Sequence, residues 1–592
     1  MSDIRRAVRL LLTLAWRTDR GRLVRAALLM LVGYVATPLI AVCLKVLTDR
    51  AVAHDPRALW AALAAAVLLV FELMMAHFAH LSYFELGEME EETLNSTLID
   101  LAGRPDGLRR FDDPEFADTL RLVREDLMNI RMALAAVLQL GGVLLQTAVA
   151  TVILARVSPL LVLLLAAALP PVIAGRWAQR IIDRAQEAEA ERTRLVNHLL
   201  RLATSAGSVK ELRLYRAERE LAGLQAALWR RITAASWRAH RRAAAVRAAG
   251  QTVFGLAYGG AVLLVATYAA RDHARLGDVV LIITLAVQVS AQVSEALSLL
   301  STLQTAGRTA GRLDRLRAED VAEPAGAARA VPDRLRRGIR LEGVGFRYSA
   351  GRPPVLRDVT LDLPAGGTVV VVGENGAGKS TLVKLLCGLY DPTSGSILVD
   401  GIPLSDVAPA AWRRNLTVMY QDFSRFQLTL RESVGLGDLA RSGDDTAVLG
   451  ALERAGAGRI ATKPPAGLSG LVGTAYGDGT ELSGGQWQSV ALARSLMRTE
   501  PLLLVMDEPT AALDAAAESA IFERYRESAR RAAERRGAIT LFVSHRFSTV
   551  HKADLIVVLD QGRVAETGRH ADLLAAGGKY AELFRMHARV YE

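Results

Sequence analysis

Two cysteines in 592 residues, Cys43 and Cys387, leave this chain without a disulfide framework. The first falls in an apolar run and the second just behind a glycine-rich loop, so a bridge between them is implausible. Aromatic residues are scarce at 5%, although hydrophobic residues reach 51% and the mean hydropathy is +0.22. That balance is unusual for a soluble protein and indicates a membrane-embedded part joined to a soluble one. Acidic side chains are outnumbered 62 to 72, for a formal net charge of +10. Nucleic acid is not the implied partner, because the arginines lie beside apolar spans, where inside-positive anchoring to membrane lipid accounts for them. No internal repeat occurs, and no convincing cleavage site follows the first long apolar run. The heavy use of Ala and Arg hints at a GC-rich bacterial genome.

Six apolar stretches are long enough to cross a bilayer: about 26–45, 58–83, 132–155, 158–177, 250–270 and 278–303. The gaps at 45–57, 156–157 and 271–277 are short. Those at 84–131 and 178–249 are long, charged and helical in pattern, which places them in the cytoplasm and the short gaps outside. Residues 1–24 read as an interfacial elbow helix, with Ile4, Val8, Leu11 and Leu12 on one face and Arg5, Arg6 and Arg9 away from it. Residues 25–310 then form the membrane domain and 311–338 a linker rich in Ala, Glu, Pro, Gly and Arg. From 339 to 592, short β-like runs alternate with helices. The expected fold is an α-helical six-span membrane domain with long cytoplasmic helix extensions, followed by an α/β cassette. Arg110–Phe116 and Ser205–Glu211, inside the long gaps, carry the Pro, Asp and small residues that stop one helix and seed a short transverse one.

The chemistry is concentrated in the cassette. Gly373-Glu374-Asn375-Gly376-Ala377-Gly378-Lys379-Ser380-Thr381 fits the phosphate-cradling pattern, with the apolar run Val369–Val372 leading in and a helical run from Leu382 behind. Such a turn aims backbone N–H groups and a helix start at one point, where a polyphosphate sits. Lys379 would neutralise the β- and γ-phosphates of ATP, and the Ser380 hydroxyl would ligate Mg²⁺. A second apolar run, Leu502–Met506, ends in Asp507 and Glu508. Asp507 suits the Mg²⁺ shell, and Glu508 could orient and deprotonate the attacking water. Between these lies Leu482-Ser483-Gly484-Gly485-Gln486, a second anion-ready helix start.

Together these residues resemble the motifs of an ABC exporter half-transporter, in the family's order and over nearly the whole chain. The resemblance implies that Tyr348 stacks on adenine, Gly373–Thr381 is the Walker A loop of a P-loop NTPase, and Gln421 is the Q-loop residue that senses Mg²⁺. It makes Ala512-Leu513-Asp514 the D-loop, Glu508 the base and His545 the switch histidine. It also implies a dimer, most simply of two identical chains meeting head to tail, in which Ser483, Gly484, Gly485 and Gln486 contact the ATP held by the partner. The expected activity is ATP-driven export across the cytoplasmic membrane by alternating access. Six spans exclude the soluble chromosome-maintenance ATPases that share the cassette. A membrane-anchored regulatory ATPase shares both parts.

One departure concerns cargo. Exporters of this class usually carry a glutamate in the segment before the signature, but Val472-Gly473-Thr474-Ala475-Tyr476-Gly477-Asp478-Gly479-Thr480-Glu481 has none at the matching place. The local sequence at Gln421–Phe426 and Leu482–Gln488 is most similar to exporters of lanthipeptides and related peptide natural products, without the peptidase domain that some of them carry. A peptide-like natural product or amphipathic small molecule is the expected cargo. A multidrug or lipid exporter or flippase, or the competent half of a heterodimer, has the same motifs. For the transport path, Thr284, Gln288, Gln292, Glu295, Ser298 and Thr302 share about a third of the helical circumference. Glu72 stands amid an apolar run, where a carboxylate should face water or a partner. Glu72, Gln288, Gln292 and Glu295 are therefore the candidate cavity residues, with hydrogen-bonded helix–helix contacts the alternative.

Overall fold

The computed structural model describes residues 2–103, 107–127, 130–157, 167, 169–269, 275–318, 329–349, 351–507, 526–527, 529–543, 550–551 and 553–591. Two compact units emerge: Met1–Ala102 with Asp118–Glu319, and Gly103–Ala117 with Asp320–Glu592.

The first unit is built from helices α1 (Ser2–Thr18), α2 (Arg20–Val52), α3 (Ala58–Gly103), α4 (Pro114–Leu127), α5 (Ile130–Val157), α6 (Leu169–Ala188), α7 (Ala190–Thr204), α8 (Ala206–Tyr215), α9 (Glu218–Ala269) and α10 (Leu276–Ala318). Among the described helices, α2, α3, α5 and α10 are long and apolar enough to cross a membrane. They contain the expected spans 26–45, 58–83, 132–155 and 278–303. Residues 250–269 form the end of α9, whereas 158–166 of the remaining expected span lie outside the described residues. At 1.5 Å per residue, α3 with its 46 residues is about 70 Å long. A hydrocarbon core is about 30 Å thick, so this helix runs well past it.

Packing among α2, α5 and α10 uses small residues as much as large ones. Ala41, Ala150 and Ala286 are buried with Leu154, Leu281 and Leu285. The first residues of the expected linker prove helical. Leu313 and Leu316 are buried, and Arg312 Nη1 meets Asp126 Oδ2 of α4 at 2.8 Å, so α10 continues to Ala318. Residues 319–328 lie outside the described residues. Among the expected transverse segments, Pro114 opens α4. Ser205 separates α7 from α8, its Oγ 3.0 Å from Ser208 Oγ.

In the second unit, strands β1 (Gly338–Phe346), β2 (Leu356–Pro364), β4 (Ser394–Val399) and β5 (Ile402–Pro403) form an antiparallel sheet in the order β2-β1-β4-β5. A six-stranded sheet follows the order β10-β9-β3-β8-β7-β6, from β3 (Thr368–Val372), β6 (Leu416–Met419), β7 (Leu503–Asp507), β8 (Ile539–Val543), β9 (Leu555–Asp560) and β10 (Arg563–Gly568). It is parallel except for β10, which pairs antiparallel with β9. Both of its faces are covered, which is why its central strands are unbroken apolar runs. Val370, Val372, Leu504 and Met506 enter one core, and Val369, Val371, Leu503 and Val505 the other. Residues 107–117 pack with this unit: Leu108 N donates to Leu389 O at 2.9 Å, and the Tyr390 hydroxyl donates to Asp112.

Candidate nucleotide site and membrane cavity

The phosphate loop leaves the end of β3 and enters α11 (Lys379–Leu386). Gly378 caps that helix with φ +103°, a conformation open to glycine, and a Cβ there would press on the Leu356 side chain at 2.7 Å. A Cβ on Gly373 would meet Leu559 O at 2.2 Å, so the backbone turns where no side chain fits. No side chain caps α11, which leaves its first-turn N–H groups to an anion. Lys379 is 6% exposed, and its Nζ donates to Gly373 O at 2.9 Å and Glu374 O at 3.0 Å. Its charge is thereby held inside the loop's own concavity. Ser380, Glu374, Asn375 and Gly376 are exposed, and Ala377 is buried.

Asp507 ends β7 and is buried at 4% exposure. The Ser380 hydroxyl and the Asp507 carboxylate are the hard oxygen donors that Mg²⁺ prefers, so the donor chemistry suits that ion. Gln421 lies just beyond β6 and is exposed. Its neighbour Tyr420 bonds to Cys387, whose thiol burial pushes up to about 12, so Cys387 is an inert packing group. Tyr348 stands beside α11, its hydroxyl 3.0 Å from Thr381 Oγ1 and its ring edge-on to Phe346 and Tyr390. Glu508, Asp514 and His545 lie outside the described residues.

The serine–glycine segment opens α14 after α12 (Leu430–Gly435) and α13 (Asp445–Arg454); α14 spans Gly484–Ser495. Ser483 is its N-cap in a reciprocal capping box with Gln486, whose Oε1 accepts from Ser483 N at 3.0 Å and from Lys463 Nζ at 2.7 Å. Ser483 and Gly484 are exposed, and Gly485 is half-buried. The segment before it, in which the family glutamate is missing, closes as a turn through Gly473 N to Thr480 O at 2.9 Å. Gln427 Oε1 pins it by accepting from Ala475 N at 2.7 Å.

Two residues that the motifs do not single out belong to this region. Arg494 on α14 donates to Ser433 O at 2.7 Å and Ser424 O at 3.2 Å and lies 4.5 Å over the Phe426 ring. It ties the signature helix to the stretch that follows Gln421, and burial pulls its guanidinium down to about 10. The signal was a charge inside the apolar run Val490–Leu496. Lys579 opens α16 (Lys579–Tyr591), which follows α15 (His570–Ala576), and its Nζ lies 2.9 Å from Glu374 Oε1 of the phosphate loop.

In the first unit, Glu72 and Glu295 line a cavity of about 440 Å³. Glu72 also accepts from the Thr37 hydroxyl at 2.7 Å and Glu295 from the Tyr34 hydroxyl at 3.1 Å, so each bonds to α2 as well. Gln288 and Gln292 are not in that lining. Gln288 Nε2 donates to Thr37 O at 3.3 Å, and Gln292 Oε1 accepts from Thr147 Oγ1 at 2.8 Å, which are contacts between helices.

Comparison with known proteins follows the geometry. The ABC transporter family profile matches residues 356–511. An ATP-dependent lipid A-core flippase of Burkholderia orbicola (strain AU 1054) is 38% identical over 283 residues, 47% of this chain and 45% of that protein. The nisin transport ATP-binding protein NisT of Lactococcus lactis subsp. lactis is 35% identical over 246 residues, 42% of this chain and 40% of that one. The chain thus covers less than half the length of either relative. A solved structure of a bacterial Atm1-family ABC exporter with ATP bound superposes with a TM-score of 0.71 at 24% identity, covering 96% of this chain and 98% of that one. The chain carries an ABC transporter ATP-binding domain joined to a helical membrane domain, in the fold of an ABC exporter.

Proposed function

We propose that this protein is an ATP-driven exporter of the cytoplasmic membrane, multi-pass, with its cassette in the cytoplasm, working as a homodimer by alternating access. One observation carries the reading: a buried lysine held by the backbone carbonyls of a glycine-rich turn, at the start of a helix that no side chain caps. A buried cation beside free helix-start N–H groups suits a polyphosphate. In this reading the Gly373–Thr381 backbone and Lys379 hold the ATP phosphates, and Tyr348 meets the adenine. Ser380, Gln421 and Asp507 hold Mg²⁺, which when bound offsets charge on the phosphates. Glu508 takes a proton from the attacking water, with His545 at the γ-phosphate. Ser483, Gly484, Gly485 and Gln486 act on the nucleotide of the second chain, and Asp514 lies at the same interface. The cargo is a peptide-like natural product or amphipathic small molecule, in line with the similarity to the nisin transport protein. A lipid flippase is the second reading, favoured by the flippase relatives.

The test is ATP hydrolysis and vectorial transport by the full chain in proteoliposomes. Glu508→Gln should still bind ATP while turnover falls by roughly two orders of magnitude or more, the usual contribution of a general base. Near-normal hydrolysis in that variant removes Glu508 as the base. Hydrolysis that never moves or responds to any cargo removes the exporter reading in favour of a membrane-anchored regulatory ATPase.

A further inference from the structure

The membrane-domain cavity is electrostatically incomplete. Four helices converge on it: α2 with Tyr34, α3 with Glu72, His77, His80 and Tyr83, α5 with Gln146, and α10 with Glu295. Its two carboxylates each accept one hydroxyl bond, and among the described residues no lysine or arginine lines the space. Among the described residues neither glutamate is ion-paired. Carboxylates placed within apolar spans ordinarily find a cationic partner, because leaving them uncompensated is costly. A second observation points into the same space. Gln146 is 6% exposed, lines the cavity, and its side-chain amide has no hydrogen-bond partner among the described residues. Its amide opens onto the cavity, where a ligand's polar group can reach it.

We propose that this cavity binds an organic cation, an amphipathic molecule bearing an ammonium or guanidinium group, with Glu72 and Glu295 as its counter-charges and Gln146 as a polar contact. The volume of about 440 Å³ suits a drug-sized molecule or one segment of a longer one. The Tyr34 and Tyr83 rings add aromatic faces that attract a desolvated cation. A bare metal ion is the poorer occupant, because among the described residues no group of three or more His, Cys, Asp or Glu side chains is placed to hold one. An anionic lipid headgroup would meet two carboxylates with, among the described residues, no lysine or arginine to offset them. The proposal rests on reading the membrane domain as a transport path, and it narrows the cargo to positively charged molecules.

The test compares tetraphenylphosphonium with tetraphenylborate, four phenyl rings in the same array with opposite charge. Full-length, nucleotide-free protein in lipid nanodiscs is titrated with each, and empty nanodiscs are subtracted. Binding of the phosphonium at least roughly tenfold tighter than the borate is expected, a modest effect for two uncompensated charges. Glu72→Gln with Glu295→Gln should abolish that preference. Equal binding of the two ions overturns the proposal, as does a double variant that unfolds at the wild-type temperature and still prefers the phosphonium. Should the double variant not fold, the wild-type comparison decides alone, because it needs no substitution. Charge-selective binding without ATP-dependent transport would leave the cation site standing and remove the exporter reading. Transport indifferent to cargo charge would do the reverse.

Discussion

Arg494 shows how much a single side chain carries where the motifs are silent. Its guanidinium satisfies Ser433 O and Ser424 O while covering the Phe426 ring. Arg494→Ala leaves the carbonyl of buried Ser433 without its partner, at a cost of about 2 kcal/mol. Hydrogen exchange should then speed up roughly thirtyfold across residues 424–433 and the start of α14, if that segment opens locally. Unchanged exchange there would mean the arginine is only a surface cation. Arg494→Lys should recover little, because a point charge cannot span two carbonyls. Cys387 makes the opposite case, a reactive residue type rendered inert. Burial moves its thiol from 9.0 to about 12. The unfolded thiol gives up its proton first as pH rises, so the folded cassette loses stability between those two values. Below that window the group stays protonated and enclosed. Maleimide at pH 8 should therefore label Cys387 only after denaturant is added, and labelling of the native protein would contradict the packing.

At the scale of elements, α1 is the instructive helix. Its buried positions are Ala7, Leu11 and Ala15, whereas the apolar pattern had pointed to Ile4, Val8, Leu11 and Leu12, of which Ile4, Val8 and Leu12 are only half-buried. The reason is close approach to glycines on α10. A Cβ on Gly307 would lie 2.1 Å from Asp3 O, and one on Gly311 would lie 2.8 Å from Arg6 Nη1. Alanine therefore faces the seam and the larger residues flank it. Gly307→Leu should push α1 off α10, an overpacking cost of about 1–3 kcal/mol. Trypsin should then cut faster at Arg5, Arg6 and Arg9, and an unchanged cleavage rate would show the seam to be loose. Hydrophobic size could not reveal such a contact, because glycine carries no signal of what approaches it. Strands β3 and β7 were legible for the converse reason, since burial on both faces demands unbroken valine, leucine and methionine. The turn between β3 and α11 was legible as backbone because glycines at fixed spacing mark positions such as Gly373 and Gly378, where a positive φ and close approach leave no room for a side chain. Gln288 and Gln292 show the limit of periodicity. It assigned them a shared face with Glu295, but their partners, Thr37 and Thr147, come from residues 251 and 145 positions away. Gln146 was missed for the same reason, because only the folded bundle brings it beside Glu72.

For the molecule as a whole, the arrangement of the cassette raises the question of what completes the site. Ser483 uses its hydroxyl to cap its own helix, yet Ser483 and Gly484 remain exposed. An exposed serine and glycine at a helix start suit an anion brought by another body. In the homodimer reading each nucleotide touches Lys379 of one chain and Ser483 of the other, and the two sites are related by symmetry. This predicts complementation between two inactive chains. Lys379→Ala alone and Ser483→Arg alone should each be nearly inactive, since both sites of either homodimer carry a defect. When the two variants are co-expressed, a mixed dimer has one site with both residues intact and one with neither. Random pairing makes about half of the dimers mixed, so activity should return to roughly one quarter of wild type if sites fire independently. Tagging each variant differently and purifying through both tags should raise that to about one half. No recovery in the doubly purified complex would show that Lys379 and Ser483 do not meet across two chains. Failure of the two variants to co-purify at all would point to a partner other than this chain, and then to the competent half of a heterodimer.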